Sequence, residues 1–329
     1  MSRKSGNAMD LTVIIPTYNS KRYVANLKRD LAPFLATQNV EIIIVDDAST
    51  DGTGEVLTTA FGEADNVTLK LKDKNKGQSD SRYLGLQEAC GDYVYFMDSD
   101  DRLEPEFRSV ILPTIKNQQA DIVFFDYKAQ MRRVSIGKAS GEISREAALN
   151  TVLELNGKRS SAGYLWNKLF KRSLIEKMTF KDTLFEDLDF CVRAVLKADH
   201  FLYVNAVGYH YVFHLKSSFN GAFLKHCDRL VSDRIEVQEA VMDQLLTHQD
   251  RLNFEHLKKA LMSYNLNIVG WLLMISLGRI RDKAVIQRVF AFYKAHQPDF
   301  RAFRSWGISV LFKWHGVKEK AKLNNDYQA

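Results

Sequence analysis

The sequence predicts an α/β fold: a mostly parallel sheet with helices on both faces, followed by a C-terminal helical region. Three observations carry this expectation. Continuous apolar runs, of the kind that strands buried on both faces require, recur through the first 130 residues. Segments with helical spacing of apolar residues lie between them, and that alternation favours a parallel sheet. Short polar clusters rich in Asp, Asn, Ser and Gly follow the runs.

The elements follow in order. "LTVIIP", "VEIIIVDD", "VTLKL", "DYVYFMD" and "ADIVFFDY" read as strands. Between the first two, Lys21 to Gln38 places Tyr23, Leu27, Leu31 and Phe34 at helical spacing. Thr53 to Ala64 reads as a short helix, and Ser79 to Ala89 as another. Pro105 stands where a first helical turn tolerates proline, and Phe107, Val110, Ile111 and Ile115 continue an apolar stripe. Beyond residue 218 helical periods dominate, with an amphipathic reading for Asp228 to Leu246.

In parallel sheets ligands bind beyond the carboxyl ends of the strands. "PTYN" (16–19), "DDAS" (46–49), "NKG" (75–77) and "DSDD" (98–101) all fall on that edge. Each alone reads equally well as a turn; four together, two of them acidic doublets behind buried strands, favour a binding site. Asp98, Asp100 and Asp101 repel one another, and a divalent cation would offset that repulsion. Mg²⁺ commonly takes one or two carboxylates and completes its shell with phosphate oxygens and water. No P-loop and no G-x-G-x-x-G is present, so phosphate would be held through a metal, Mn²⁺ or Mg²⁺, rather than through a glycine nest.

"VIIPTYN", "IIIVDDASTDGT", "NKGQSDSRYLGL" and "YVYFMDSDD" resemble the successive motifs of family 2 glycosyltransferases. "WNKLFKRS" (166–173), "FEDLDF" (185–190) and "YHYVFHLKSS" (209–218) resemble the acceptor half of members that assemble bacterial polysaccharide, capsule or glycolipid. The resemblance implies a Rossmann-like GT-A fold, with a leader at 1–10, a nucleotide-sugar-binding half at 11–101, an acceptor half at 102–218 and a helical region at 219–329. It implies roles too. Pro16 and Tyr18 would frame the base, Asp47 would bond the uracil ring, and Arg82 and Asn75 would face the nucleotide. Asp98-Ser99-Asp100 matches the D-x-D motif: Asp98 towards ribose or metal-bound water, Asp100 as the metal ligand. His214 falls where some members place a further metal ligand, although among Tyr209, Tyr211 and Phe213 it also reads as a packed side chain. Where the family often has Ala-Arg-Asn, this chain has Ser81-Arg82-Tyr83.

Asp187 of the Glu186-Asp187 pair matches the catalytic base; Glu186 and Asp189 are the alternatives, and an acidic helix N-terminus is the plainer reading of all three. The chemistry agrees. A departing nucleoside diphosphate gathers charge that a cation neutralises, and the attacking hydroxyl needs a carboxylate within reach of its proton. A single base opposite the leaving group gives inversion. Trp166 reads either as a platform for an acceptor sugar or as core. The expected partners are a UDP-sugar donor and a glycan or lipid-linked acceptor, not nucleic acid.

Composition fits a soluble chain: 329 residues, 46% hydrophobic, 26% charged, net charge +6. Three widely spaced cysteines suggest a reducing, cytoplasmic setting. Residues 260–278 read as a buried helix or a dimer interface. Residues 301–322, with Trp306 and Trp314 on one helical face and six basic residues against Glu319, suit either an anionic membrane surface or a docked helix. Other classes fit less well. A signalling receiver needs little more than a third of the chain, a nucleotidyltransferase lacks its glycine-rich phosphate loop here, and a non-catalytic binder has no use for both D-x-D and Glu-Asp.

Overall fold

The computed structural model describes residues 9–35, 37–117, 119–130, 132–153, 163–214, 227–253, 280 and 282–295. The chain divides into two compact units, Met1–His214 and Leu215–Ala329. The first opens with β1 (Leu11–Thr17), α1 (Val24–Leu35), β2 (Val40–Asp46), α2 (Thr53–Phe61), β3 (Val67–Leu71), α3 (Gln78–Glu88) and β4 (Tyr93–Phe96). It continues with β5 (Arg102–Leu103), β6 (Ile122–Ala129), β7 (Arg132–Val134), β8 (Gly141–Ile143), α4 (Arg145–Val152), β9 (Lys168–Lys171), α5 (Arg172–Ile175), α6 (Glu186–Lys197) and β10 (Phe201–Tyr211). The five runs read as strands are β1, β2, β3, β4 and β6. The stripe after Pro105 instead forms a π-helical turn, Phe107–Ile111, and a 3-10 segment, Leu112–Asn117.

The sheet runs in the order β3-β2-β1-β4-β9-β6-β10-β5, with β7 on β6 and β8 on β10. Strands β3, β2, β1 and β4 are parallel, as are β6 and β10. Strand β9 lies antiparallel between β4 and β6, so the sheet is mixed. Its sequence, Lys-Leu-Phe-Lys, carries two lysines in four residues and hides a strand whose Lys168, Leu169 and Phe170 are fully buried.

Alternation along β1 sorts the helices. Leu11, Val13 and Ile15 face a core that includes Leu27, Leu31 and Phe34 of α1 and Leu57 and Phe61 of α2. Ile14 points to the other face, where Gly85 of α3 meets it; a Cβ at Gly85 would lie 2.5 Å from Ile14 Cγ2. Phe96, paired with Ile14 in register, sits edge-on to Phe190 of α6 at 5.9 Å and to Phe180 at 5.6 Å. Helices α3 and α6 therefore share one face of the sheet, and their polar residues converge beside the end of β4.

The second unit contains α7 (Cys227–Thr247) and α8 (Lys283–Ala295), which an Arg288–Glu239 ion pair of 3.0 Å and a bond from Asp282 N to Asp228 help join. No helix among the described residues is long and apolar enough to cross a membrane. Residues 260–278 and 301–322 lie outside the described residues.

Gly85 makes the α3 contact testable. Gly85→Ala forces Ile14 or the helix to shift, and overpacking of this kind costs about 1–3 kcal/mol. A lowered melting temperature, with a smaller Gly85→Ala loss in an Ile14→Ala background, is the expected result; an unchanged melt contradicts the close approach.

Candidate active site

The loops after β1 and β2 lock each other. Buried Asp46 accepts Ser49 N at 3.0 Å, Ser49 Oγ at 2.6 Å and Thr17 Oγ1 at 3.0 Å. Asn19 N donates to Ser49 Oγ and its Oδ1 accepts Thr50 N. Asn19 and Ala48 both take positive φ, at 50° and 57°, a conformation that costs a non-glycine residue and clusters at functional sites. The turn leaves Tyr18 49% exposed beside half-buried Pro16.

Asp47, by contrast, is buried and engaged. It accepts Lys72 Nζ at 2.5 Å, Lys76 N at 2.9 Å and Gly77 N at 2.7 Å, so it fastens the loop that begins α3. Gly77 at φ 89° makes the turn, and Asn75 is exposed before it. Lys72 also reaches Asp80 at 2.6 Å.

One helical turn before Gly85, Arg82 runs beneath the sheet edge with 2% exposure. Its Nη2 meets Asp98 Oδ1 at 2.8 Å, and its Nη1 meets Glu186 Oε1 at 2.7 Å and Asp187 Oδ1 at 2.8 Å. Gln78 donates to the same Glu186 oxygen. One cation on α3 thus faces three carboxylates, one after β4 and two in the first turn of α6. Burial works against the Arg82 charge, but Asp187, Asp98 and Glu186 hold the guanidinium protonated well above its ordinary value. Burial pushes the Glu186 carboxyl up to about 8, Asp187 adds to the shift and Arg82 opposes it. Burial likewise raises Asp187, with Arg82 opposing and Asp98 reinforcing. Asp187 keeps 17% side-chain exposure, Glu186 only 1%; Asp187 is the more open member of the pair. Asp189 is spent on Arg193 at 2.7 Å.

The acidic run after β4 divides by environment. Asp101 is buried, accepts Tyr209 Oη and Val212 N at 2.7 Å each, and fastens β4 to the end of β10. Burial, Asp98 and Asp100 push its carboxyl up to about 8. Ser99 pairs with Ser20 through their hydroxyls at 2.9 Å. Asp100 keeps 36% side-chain exposure and lies with its Oδ2 3.8 Å from His214 Nε2, which is 3.1 Å from the Asp100 carbonyl oxygen. Tyr23 packs on the His214 ring at 4.9 Å. Among the described residues no three His, Cys, Asp or Glu side chains are grouped to hold a metal. The donors brought together are two, Asp100 and His214, with Asp98 next to them but bonded to Arg82. One carboxylate and one imidazole would suit a divalent cation that takes few protein ligands and completes its shell with phosphate and water.

A family model described as Glycosyl transferase family 2 matches residues 12–178. The chain belongs to glycosyl transferase family 2. Among the curated members it resembles, the cholesterol galactosyltransferase of Borreliella burgdorferi is 28% identical over 94% of this chain and 84% of its own length. Glycosyltransferase GlyA of Streptococcus pneumoniae is 31% identical over 61% of this chain, and EpsH of Bacillus subtilis 29% over 63%. The matched regions cover 30% of GlyA and 62% of EpsH, less than two thirds of either. Residues 1–349 of S. aureus TarS, crystallised with UDP-GlcNAc, superpose with a TM-score of 0.60 at 17% identity, covering 91% of this chain and 93% of that one. That likeness shows the GT-A fold of the family.

Within this family 2 chain, the structure brings Arg82, Asp98, Glu186 and Asp187 into one cluster and Asp100 and His214 into another. Trp166 is elsewhere: 2% exposed, stacked with Tyr164 at 4.8 Å and Tyr209 at 4.6 Å, it belongs to the core. Tyr164, 45% exposed, is the ring of that stack that reaches solvent. Lys72, Gln78 and Tyr209 were not anticipated as partners of site acids; only their tertiary contacts mark them.

Arg82→Met leaves buried carboxylates without their cation, a change of the kind that costs about 3–5 kcal/mol. A carboxyl raised in the folded state binds more protons there than when unfolded, so stability is lost as pH rises towards about 8 for Glu186. The Arg82→Met deficit is therefore expected to shrink as pH falls from 8 to 5, read by denaturant melts at each pH. A deficit independent of pH contradicts the pairing.

Proposed function

We propose that the chain is an inverting, metal-dependent glycosyltransferase that moves a hexosyl or N-acetylhexosaminyl group from a UDP-sugar to a hydroxyl of a bacterial glycan or glycolipid. The observation that carries this reading is the span of Arg82: one guanidinium joins Asp98, in the donor motif, to Asp187, at the start of α6. Donor-side and acceptor-side acids are thereby held at a fixed separation across the place where a sugar would sit. The named activities of family members support it: a galactosyltransferase and, in TarS, a poly(ribitol-phosphate) beta-N-acetylglucosaminyltransferase. The UDP-GlcNAc complex of TarS supports a UDP-sugar donor.

In this reading residues 11–101 form the donor half and 102–218 the acceptor half. Pro16 and Tyr18 frame the uracil, which Asp47 and Asn75 orient, and Arg82, Asp98 and Ser99 line the ribose and phosphate side. Asp100 and His214 would hold Mn²⁺ or Mg²⁺. When bound, that ion supplies neutralisation of the charge gathering on the leaving diphosphate. Asp187 takes the proton of the attacking hydroxyl at its exposed oxygen, with Glu186 beside it and Trp166 supporting the acceptor side from the core. Only the ionised Asp187 is a base. Its raised pKa makes it a stronger acceptor of that proton and moves the acid limit of turnover upward.

Asp187→Asn is expected to lower turnover about 10²- to 10⁴-fold and to abolish the acid limb of kcat, with UDP-sugar affinity nearly unchanged. An equal fall in donor affinity, measured by calorimetry, contradicts the base role. Asp100→Asn is expected to lower turnover about 10²- to 10³-fold and remove its response to added Mn²⁺; full activity of wild type in EDTA refutes the metal role.

A further inference from the structure

Lys168 is fully buried in β9, and no step above uses it. Its ammonium donates to the Tyr164 carbonyl oxygen at 2.5 Å and to Asn167 Oδ1 at 2.7 Å, and lies 5.4 Å from the Phe124 ring centre. A buried ammonium is unfavourable unless its bonds serve the fold or the site. The Tyr164 carbonyl also receives Cys191 Sγ at 3.6 Å, so one carbonyl is held from two elements. It belongs to the peptide group between Tyr164 and Leu165, and the N–H of that same group, on Leu165, is hydrogen-bonded to Asp187. The peptide is trans, so its C=O and N–H point in opposite directions and fixing one aims the other. The loop approaches α6 closely enough to do this because residue 163 is glycine: a Cβ there would lie 2.4 Å from Leu188 Cα. A bond from Lys168 N to the Leu165 carbonyl at 3.1 Å closes the turn.

We propose that Lys168 is a positioning residue for the general base: it grips the Tyr164 carbonyl and so holds the Leu165 N–H on Asp187. The inference rests on the reading of Asp187 as base. It assigns a role to the lysine of "WNKLF". The charged and titratable groups around Asp187 are Arg82 from α3, Asp98 after β4, Glu186 and Cys191 on its own helix, and Lys168 from β9. Lys168 acts on Asp187 in two ways, as a nearby cation and through the peptide. Both favour the ionised carboxylate. Removing Lys168 frees the peptide to turn, so Asp187 loses a donor and holds its proton to higher pH. The donor contacts of β1, β2 and α3 are untouched.

The test is the pH profile of kcat, with donor KM and a melting curve, for the full-length wild type, Lys168→Met and Lys168→Gln. In Lys168→Met the acid limb of kcat is expected to move up by about 0.5–1 pH unit and the donor KM to stay within about twofold. Lys168→Gln keeps an N–H donor without the charge, so its limb moves less and its kcat exceeds that of the Met variant. A Met variant that melts cooperatively with an unmoved limb, or with a raised KM alone, overturns the proposal. If the Met variant does not fold, the Gln variant decides by the same readout. Retained turnover in Asp187→Asn would sink the base assignment instead. A ¹³C carboxylate titration of Asp187 in wild type and variant then decides whether Lys168 governs Asp187; identical titrations overturn the proposal.

Discussion

The buried guanidinium of Arg82 is the contact on which the site depends. It meets carboxylates from the end of β4 and from the first turn of α6 while itself standing on α3. Three acids this close would repel strongly in a poorly solvated place, and removing the cation leaves them uncompensated. The packing that sets Arg82 in place is unusually tight: glycine at 85 lets α3 lie on Ile14, and the Phe96–Phe180–Phe190 cluster seats α6 on the same face. Core geometry and site electrostatics are thus one problem.

The same constraint explains why the two acidic motifs differ in character. Asp98 and Asp187 have one oxygen each committed to Arg82 and keep part of their surface open. Glu186 and Asp101 are closed off, bonded respectively to Arg82 with Gln78 and to Tyr209 with Val212 N. Asp187 thus directly follows a closed acid, and Asp98 lies three residues before one. Burial raises the carboxyls of both closed acids, and Arg82 opposes the shift at Glu186.

Much of this was legible in the sequence, and the remainder fails for identifiable reasons. Strands β1, β2, β4 and β6 each carry four consecutive apolar residues, Val13–Pro16, Ile42–Val45, Tyr93–Phe96 and Ile122–Phe125, and alternation with helical segments marks these runs as strands. Strand β9 escaped because Lys168 and Lys171 bound a run of only two apolar residues, and a fully buried lysine contradicts the usual rule for that residue. The site residue types and their order could be recognised from motifs, but not their pairing. Arg82 reaches acids 16, 104 and 105 positions away, which no local period reports. Asp101 adds a third charge to the run after β4, and only the fold shows that Tyr209 and Val212 N hold it. Trp166 left two readings open in the sequence; in the fold it is buried and stacked between Tyr164 and Tyr209.

The central claim is that Asp98, after β4, and Asp187, at the start of α6, are coupled through one cation. A double-mutant cycle on folding stability tests it most directly, using Asp98→Asn, Asp187→Asn and the double variant. Sites without shared partners add to within about 0.3–0.5 kcal/mol. Shared dependence on Arg82 predicts non-additivity of at least about 1 kcal/mol, with the second neutralisation costing more than the first because the buried cation is losing its counter-charges. Strict additivity would mean that the two acids do not share Arg82, and the account would be wrong at its centre.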